Sequence, residues 1–199
     1  MGCIISAFVR VHLWLQNYTP AMLNREQVCQ RIAEVALLRG EFTLRSGRTS
    51  KYYLDKYLFT TQPDILEALG VLFAERIEKL GQVDRLAGTE LGGIPLVSAA
   101  AIATNKPAIL IRNQKKDYGT AKQLEGAIHQ GEKVVLVEDI ATTGGQVLEA
   151  GTMLREEFGV EVPAIIATID RQEGARENIE AAGFAFDSLF TKSDLGIDE

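Results

Sequence analysis

This sequence is poor in the residues from which many enzymes build reactive centres. It holds two cysteines and two histidines among 199 residues. Cys3 and Cys29 lack metal-ligand spacing, and His12 and His129 lie far apart with no companion pattern. The sequence therefore argues against a disulfide framework, a zinc site and a histidine-based catalytic triad. Two isolated thiols are typical of a reduced, cytoplasmic setting.

Two familiar phosphate-binding motifs are also missing. No G-x-x-x-x-G-K-[ST] occurs, and no G-x-G-x-x-G follows a predicted strand, which argues against an NTPase or a dinucleotide-binding protein. The net charge of −6 lacks the basic bias that a nucleic-acid partner requires. The apolar stretch within residues 1–22 is too short and too interrupted to span a bilayer. We expect an N-terminal extension there, and no membrane or nucleic-acid partner.

The rest of the chain predicts an α/β fold. Helical spacing of apolar residues over 23–38 ends at Arg39-Gly40, residues 41–57 read as a β-hairpin, and 63–80 form a second amphipathic helix. Strands and helices then alternate, which indicates a mostly parallel central sheet flanked by helices. The predicted strands are 86–88, 108–111, 134–137 and 164–169, and the helices are 95–104, 146–158 and 175–182. We expect one domain over 23–199, with a small N-terminal hood at about 23–60 and a core at about 61–199.

The most informative stretch is V-E-D-I-A-T-T-G-G-Q at 137–146. An apolar strand ends in Glu138 and Asp139, a Thr-Thr-Gly-Gly turn follows, and an amphipathic helix begins. Free backbone N–H groups and the positive end of the helix dipole favour an anion at such a junction. The carboxylates repel phosphate but accept hydrogen bonds from sugar hydroxyls or help to hold a divalent cation. Phosphate together with a ribose diol is the ligand that this junction predicts.

Three other loops follow predicted strands, so they belong to the same edge of the sheet. Residues 88–95 form a glycine-rich turn into a helix that holds Pro95 in its first turn, suited to the first helical position. Residues 112–126 form a long, lysine-rich loop in an acidic protein, as a cationic lid over pyrophosphate would. Residues 170–174 carry Arg171, whose planar fork suits a carboxylate.

Taken together, these motifs resemble those of the orotate phosphoribosyltransferases, a branch of the type I phosphoribosyltransferases that use phosphoribosyl pyrophosphate (PRPP). The resemblance covers about residues 23–195. It rests on F-T-L-R-S-G-R-T-S at 42–50, the lysine-bearing loop before L-E-G at 124–126, the 137–146 stretch, and D-R-Q-E-G at 170–174. It implies a type I phosphoribosyltransferase-like fold and transfer of 5-phosphoribosyl from PRPP to orotate, which gives orotidine 5'-phosphate and pyrophosphate on the route to UMP.

The resemblance also implies roles for individual residues. The catalytic residues would be Arg112, Lys116 and Asp139. Orotate would contact Tyr53, Thr142 and Arg171. PRPP would contact Arg45, Gly92, Arg112, Lys115, Lys116, Tyr118, Glu138, Asp139, Ile140, Ala141, Thr142, Thr143, Gly144, Gly145 and Gln146. Mg²⁺ would bind mainly through PRPP, with no protein metal cage, and the 112–126 loop would be shared across a homodimer interface.

The chain departs from the common family pattern at four positions. Many family members carry lysine where this chain has Gly92, Asn113 and Arg45, and histidine where it has Tyr118. Basic groups remain at Arg45, Arg112 and Lys116, so catalysis is still expected. Two alternatives remain: a phosphoribosyltransferase for another base, and a non-catalytic PRPP-sensing regulator on the same fold, which the missing lysines motivate and the net acidity weakens.

Overall fold

The computed structural model describes residues 22–43, 47, 49–113 and 123–197. Its helices are α1 (Arg25–Ala36), α2 (Lys56–Thr60), α3 (Pro63–Glu78), α4 (Gly93–Thr104), α5 (Gly145–Phe158) and α6 (Ala175–Ala181), followed by a short 3₁₀ helix at Ser193–Leu195. Its strands are β1 (Leu37–Thr43), β2 (Thr49–Leu54), β3 (Arg85–Thr89), β4 (Ala108–Ile111), β5 (Leu124–Glu125), β6 (Val134–Ala141), β7 (Ala164–Asp170) and β8 (Ala185–Thr191).

A six-stranded sheet in the order β5-β4-β3-β6-β7-β8 organises the described residues. The pairs β4-β3, β3-β6, β6-β7 and β7-β8 are parallel, and β5 is antiparallel to β4. From β3 the chain moves to one side of the sheet to form β4, whereas β6 starts the other side. Strand order therefore reverses between β3 and β6, and ligands of open α/β sheets collect at the carboxyl ends of strands beside such a point.

Both faces of this sheet are buried, which is why the central strands are almost wholly apolar. Along β6, Val135 and Val137 pack into one cluster with α1, α3 and α4, while Val134 and Leu136 pack into a second cluster with α5 and α6. Alternation along a strand sends successive side chains to opposite faces. The predicted mostly parallel sheet flanked by helices is confirmed.

The hood is a separate two-stranded antiparallel sheet, with registers from Leu37↔Leu54 to Thr43↔Thr49. The prediction that the first helix continues to residue 38 and ends at Arg39-Gly40 is wrong. Helix α1 ends at Ala36, because Leu37 adopts an extended conformation and pairs with Leu54. The hairpin is confirmed, but its first strand begins at Leu37, before the predicted start at residue 41.

Several element bounds differ from the predicted ones in smaller ways. Helix α4 begins at Gly93, so Pro95 is its third residue rather than its first. Proline is still tolerated there, because N–H groups in the first turn of a helix have no acceptor within the helix. Strand β8 was not predicted, because Asp187 and Ser188 interrupt its apolar residues at the edge of the sheet. Within the part of the chain that the structure describes, no helix is long and apolar enough to cross a membrane.

Candidate active site

Two carboxylates lie near the carboxyl end of β6, beside the point where strand order reverses. Glu138 is 6% exposed, and its Oε2 accepts a hydrogen bond of 2.8 Å from the hydroxyl of Thr89, the last residue of β3. Burial raises the pKa of Glu138 well above its ordinary value, and the neighbouring Asp139 carboxylate raises it further; Thr89 and Lys56 oppose the shift. A buried carboxyl with a perturbed pKa in a cavity is typical of a functional site.

Asp139 is 3% exposed and is held by two contacts. Its Oδ1 accepts a hydrogen bond of 2.6 Å from the backbone N–H of Ile140, and its Oδ2 lies 2.8 Å from the Lys56 ammonium. Burial lowers the pKa of Lys56, but the Asp139 charge and hydrogen bond outweigh it, so the net shift is upward. The Lys56 ammonium is therefore charged at neutral pH.

The turn between β6 and α5 forms an open cup, composed of Thr142, Thr143, Gly144, Gly145 and Gln146. Gly144 has φ +78°, and a β-carbon there would lie 3.0 Å from the Ile179 side chain, so this position requires glycine. The first N–H groups of α5 have no acceptor within the helix, and they belong to the exposed residues Gly145 and Gln146. A 14-residue helix that begins in this way offers donors and a positive dipole end to a phosphate.

Arg171, next to the end of β7, faces the same cavity. Its Nη2 donates a hydrogen bond of 3.0 Å to the Tyr52 hydroxyl and lies 2.9 Å from the Glu173 carboxylate. Its guanidinium lies 5.4 Å from the centroid of the Tyr52 ring. The Nε of Arg171 is buried and makes no hydrogen bond among the described residues. Such a guanidinium is held in place, and its planar shape suits a planar anion.

These groups line one cavity of about 1250 Å³. The wall opposite the cup comes from the hood. The lining residues are Thr49, Ser50, Lys51, Tyr52, Tyr53, Lys56, Glu138, Asp139, Ile140, Ala141, Thr142, Thr143, Gly144, Gly145, Gln146, Val147, Arg171, Glu173 and Lys192. A phosphate cup, an acidic pair and an arginine thus face one volume large enough for a nucleotide.

The long loop after β4 is anchored at its base. The Asn113 backbone N–H donates a hydrogen bond of 2.7 Å to the Glu90 carboxylate, and the Asn113 side-chain carbonyl accepts one from Gln146 Nε2. The backbone N–H of Arg112 donates to the Gln123 carbonyl at 2.8 Å. The Arg112 guanidinium lies 3.8 Å from Glu125, outside the residues that line the cavity. Arg112 is therefore not brought into the cavity of its own chain.

Comparisons with known proteins agree with this geometry. Residues 59–188 match the family model described as the phosphoribosyl transferase domain. The orotate phosphoribosyltransferase of Natronomonas pharaonis is 44% identical over 174 residues, which cover 87% of this chain and 98% of that protein. That of Pyrococcus horikoshii is 44% identical over 165 residues, which cover 82% and 88%.

A solved structure supports the same assignment. The crystal structure of Mycobacterium tuberculosis orotate phosphoribosyltransferase in complex with PRPP superposes with a TM-score of 0.73 at 29% identity, over 87% of this chain and 99% of that one. The chain belongs to the orotate phosphoribosyltransferase family. As predicted from the sequence, the sugar-phosphate stretch of this chain lies between a central strand and a helix.

The described residues bring together most of the predicted orotate phosphoribosyltransferase site. Glu138 through Gln146, Tyr53 and Arg171 line the cavity, and the Gly92 backbone lies against Asp139. Tyr53 is 44% exposed and packs on Phe42 with ring centroids 5.7 Å apart, and its predicted contact with orotate stays a prediction. Arg45, Lys115, Lys116 and Tyr118 lie outside the described residues, so their roles also stay predictions.

Sequence reasoning missed four residues of this orotate phosphoribosyltransferase site. Tyr52 contacts Arg171, Thr89 binds Glu138, Glu90 anchors Asn113, and Lys56 pairs with Asp139. Tyr52 and Tyr53 both line the cavity, and the sequence of the strand does not indicate which of them contacts Arg171. The other three are contacts between distant segments, for which a local pattern carries no signal.

Replacing Glu138 by glutamine tests whether the buried carboxylate is kept at a cost in stability. Because its folded pKa is raised, ionisation opposes folding once the pH exceeds the unfolded value of 4.5. We expect Glu138→Gln to stabilise the ligand-free protein at pH 8 by at least about 1 kcal/mol and to leave its stability near pH 4 unchanged. Denaturant unfolding at the two pH values measures this difference.

The matched control is Glu180→Gln, which alters a carboxylate that forms a solvated ion pair with Arg176 on α6. Such exposed pairs contribute little to stability, so the control should show no gain at pH 8. Equal stability of wild type and Glu138→Gln at pH 8 would contradict the claim that ionisation of Glu138 destabilises the folded protein.

Proposed function

We propose that this chain catalyses the transfer of the 5-phosphoribosyl group from PRPP to orotate, giving orotidine 5'-phosphate and pyrophosphate. The observation that carries the proposal is the convergence of Glu138 and Asp139, the 142–146 cup and Arg171 on one cavity. Each group suits one part of the two substrates: the ribose hydroxyls, the 5-phosphate and the orotate carboxylate. Family membership supports the same reaction.

The acidic pair and the cup define how the ribose would lie. The 5-phosphate accepts hydrogen bonds from the N–H groups at the start of α5, and the ribose hydroxyls donate to Asp139 and Glu138. The anomeric carbon C1 then faces the base pocket, and its pyrophosphate faces the loop between β3 and α4. Holding both reactants in line supplies much of the rate enhancement in a displacement of this kind.

The chemistry needs no nucleophilic side chain. The bond between C1 and the pyrophosphate oxygen breaks, and its electron pair leaves on that oxygen. N1 of orotate supplies the pair for the new bond to C1, after it has lost its proton to solvent. Positive charge develops on the ribose beside the acidic pair, and the fixed Asp139 carboxylate stabilises it as it develops. Cations from the loop between β4 and β5, Arg112 and Lys116 in our prediction, would stabilise the departing pyrophosphate.

Mg²⁺ is the cofactor that this reaction would use. Among the described residues, no cluster of three or more histidine, cysteine or acidic side chains is placed to hold a metal ion. Mg²⁺ commonly binds substrate phosphates, waters and only one or two carboxylates, so the residues present fit an ion that arrives with PRPP. Bound there, it would neutralise pyrophosphate charge, and Glu138 and Asp139 would reach it through the ribose hydroxyls.

A homodimer that shares the 112–126 loop is also part of the proposal. Two exposed apolar side chains support it: Leu91, before α4, is 64% exposed, and Ile102, in the last turn of α4, is 83% exposed. Ile94, Ser98 and Ile102 recur at helical spacing and so share one face of α4. Exposed apolar surface of this kind is typical of an interface. Arg112, which is not among the residues that line its own cavity, would then serve the partner's site.

We place the enzyme in the cytoplasm, on the pyrimidine route to UMP.

The direct test is consumption of orotate by the purified protein. We expect the absorbance of orotate to fall when PRPP and Mg²⁺ are both present, and the reaction to stop in excess chelator and resume with Mg²⁺. Binding of PRPP by calorimetry, measured in parallel, separates catalysis from mere sensing. A folded protein that binds PRPP but consumes neither orotate nor another base would support the regulator instead.

Arg171→Gln tests which base is used. Removing the guanidinium leaves the orotate carboxylate without its charged partner, so the KM for orotate should rise by roughly 100-fold while the KM for PRPP changes little. Wild type should strongly prefer orotate to uracil, which lacks the carboxylate, and the variant should lose most of that preference. Steady-state kinetics with both bases measures it. Undiminished preference in the variant would contradict the assigned role.

Mixing two inactive variants tests the shared loop. Arg112→Ala removes the loop cation and Asp139→Asn alters the acidic pair. If Arg112 serves the partner subunit, mixed dimers contain one site with neither substitution, and random exchange should restore roughly one quarter of wild-type activity. Activity after mild dissociation and reassociation gives the answer, with each variant treated alone as the control. No restoration despite proven subunit exchange would show that the loop serves its own chain.

A further inference from the structure

Lys56 enters the cavity from a rigid part of the hood. It is the first residue of α2, whose N-cap Asp55 accepts a hydrogen bond of 3.0 Å from the Tyr57 backbone N–H. The Asp55 backbone N–H donates to the carbonyl of Ala36 at 2.9 Å, which ties this turn to the end of α1. The Lys56 backbone is therefore fixed, and its side chain runs from the hood to Asp139 on the central sheet.

The Lys56 side chain occupies space that Gly92 leaves open. A β-carbon on Gly92 would lie 1.9 Å from Asp139 Oδ2 and 3.2 Å from Lys56 Cδ. No larger residue fits at position 92 while the Lys56–Asp139 pair is in place, because the pair fills that volume. The ammonium thus lies beside the loop between β3 and α4, on the side where the pyrophosphate of PRPP would lie.

The negative charges that meet in the cavity require a nearby cation, and the Lys56 ammonium can supply it. PRPP brings several negative charges beside the carboxylates of Glu138 and Asp139, and that proximity must be offset. Arg171 is engaged by Glu173 and Tyr52, and Arg112 lies 3.8 Å from Glu125. Lys51 and Lys192 also line the cavity. The described residues give Asp139 one ion pair within 4 Å, and Lys56 makes it. An ammonium has three donors, so it can keep one on Asp139 and direct others at an incoming oxyanion.

We propose that Lys56 is a substrate-binding and catalytic residue that donates hydrogen bonds to the pyrophosphate of PRPP while it remains in contact with Asp139. The inference rests on the proposed function. As the bond from C1 to the pyrophosphate oxygen breaks and the electron pair moves to that oxygen, the ammonium stabilises the new charge and keeps its proton. Lys56 thereby supplies, from the hood, a cation that the Gly92 loop cannot provide.

The test compares Lys56→Gln with Lys56→Arg. Glutamine retains a polar contact with Asp139 but has no charge, whereas arginine retains the charge. We expect Lys56→Gln to lower kcat/KM for PRPP by roughly 100-fold, as the loss of one group that stabilises developing charge typically does. Lys56→Arg should lose about tenfold or less. The remote control is Lys79→Gln, at the exposed end of α3, which should match wild type.

Binding measurements distinguish contact with pyrophosphate from a structural role. With Mg²⁺ present, calorimetry should show pyrophosphate binding weakened about tenfold or more in Lys56→Gln, and ribose 5-phosphate binding nearly unchanged. Equal weakening of both ligands would overturn the proposal, because Lys56 would then only position Asp139. Unchanged pyrophosphate binding would overturn it as well.

The role of Lys56 and the proposed function can fail independently of each other. If wild type consumes no orotate, the function fails, but the two binding measurements still test Lys56. If wild type is active and Lys56→Gln matches it in kinetics and binding, only the role of Lys56 fails.

Discussion

Two carboxylates held out of water at the carboxyl end of a central strand are the constraint on which this site depends. Glu138 and Asp139 are adjacent and nearly inaccessible, and neither charge can be solvated freely. Each is made tolerable by a specific neighbour: the Thr89 hydroxyl for Glu138, and the Lys56 ammonium for Asp139. The β3 strand end and the start of α2 are thus fixed in relation to β6 by the need to satisfy these two groups.

The apolar core on both sides of the sheet stabilises the fold enough to tolerate this buried acidic pair. Strand β7 is buried along its whole length, and β6 is buried except at Ile140, so the acidic pair lies on a strand that is packed on both faces. A packed strand keeps the acceptors at fixed positions. Fixed groups stabilise developing charge better than water does, because they need not reorient during the reaction. The hood contributes in a different way. Its sheet shares no ladder with the core sheet, yet Tyr52 and Lys56 reach across to Arg171 and Asp139.

How much of this could be predicted depends on the range of the interactions. The phosphate cup was recognisable because strand, small-residue turn and helix are consecutive, and the signal at 142–146 is local. Arg171 was recognisable from its place after a buried strand. By contrast, Tyr52 and Arg171 are 119 positions apart, and nothing near Tyr52 in the sequence reveals that contact. The relation between Gly92 and Lys56 likewise cannot be read from the sequence, because it depends on the fold bringing both residues next to Asp139.

The pairing at the base of the long loop has a separate consequence, for how the loop can change over evolutionary time. Ile111 pairs with Leu124, and the Arg112 N–H donates to the Gln123 carbonyl, so the chain leaves and re-enters the sheet at neighbouring points. With both ends pinned, adding or deleting residues between them moves no strand. The entropic penalty of a longer loop grows only logarithmically, by about 0.6 kcal/mol per doubling of length. Loop length can therefore drift among descendants of this sequence while the sheet and the phosphate cup stay as they are.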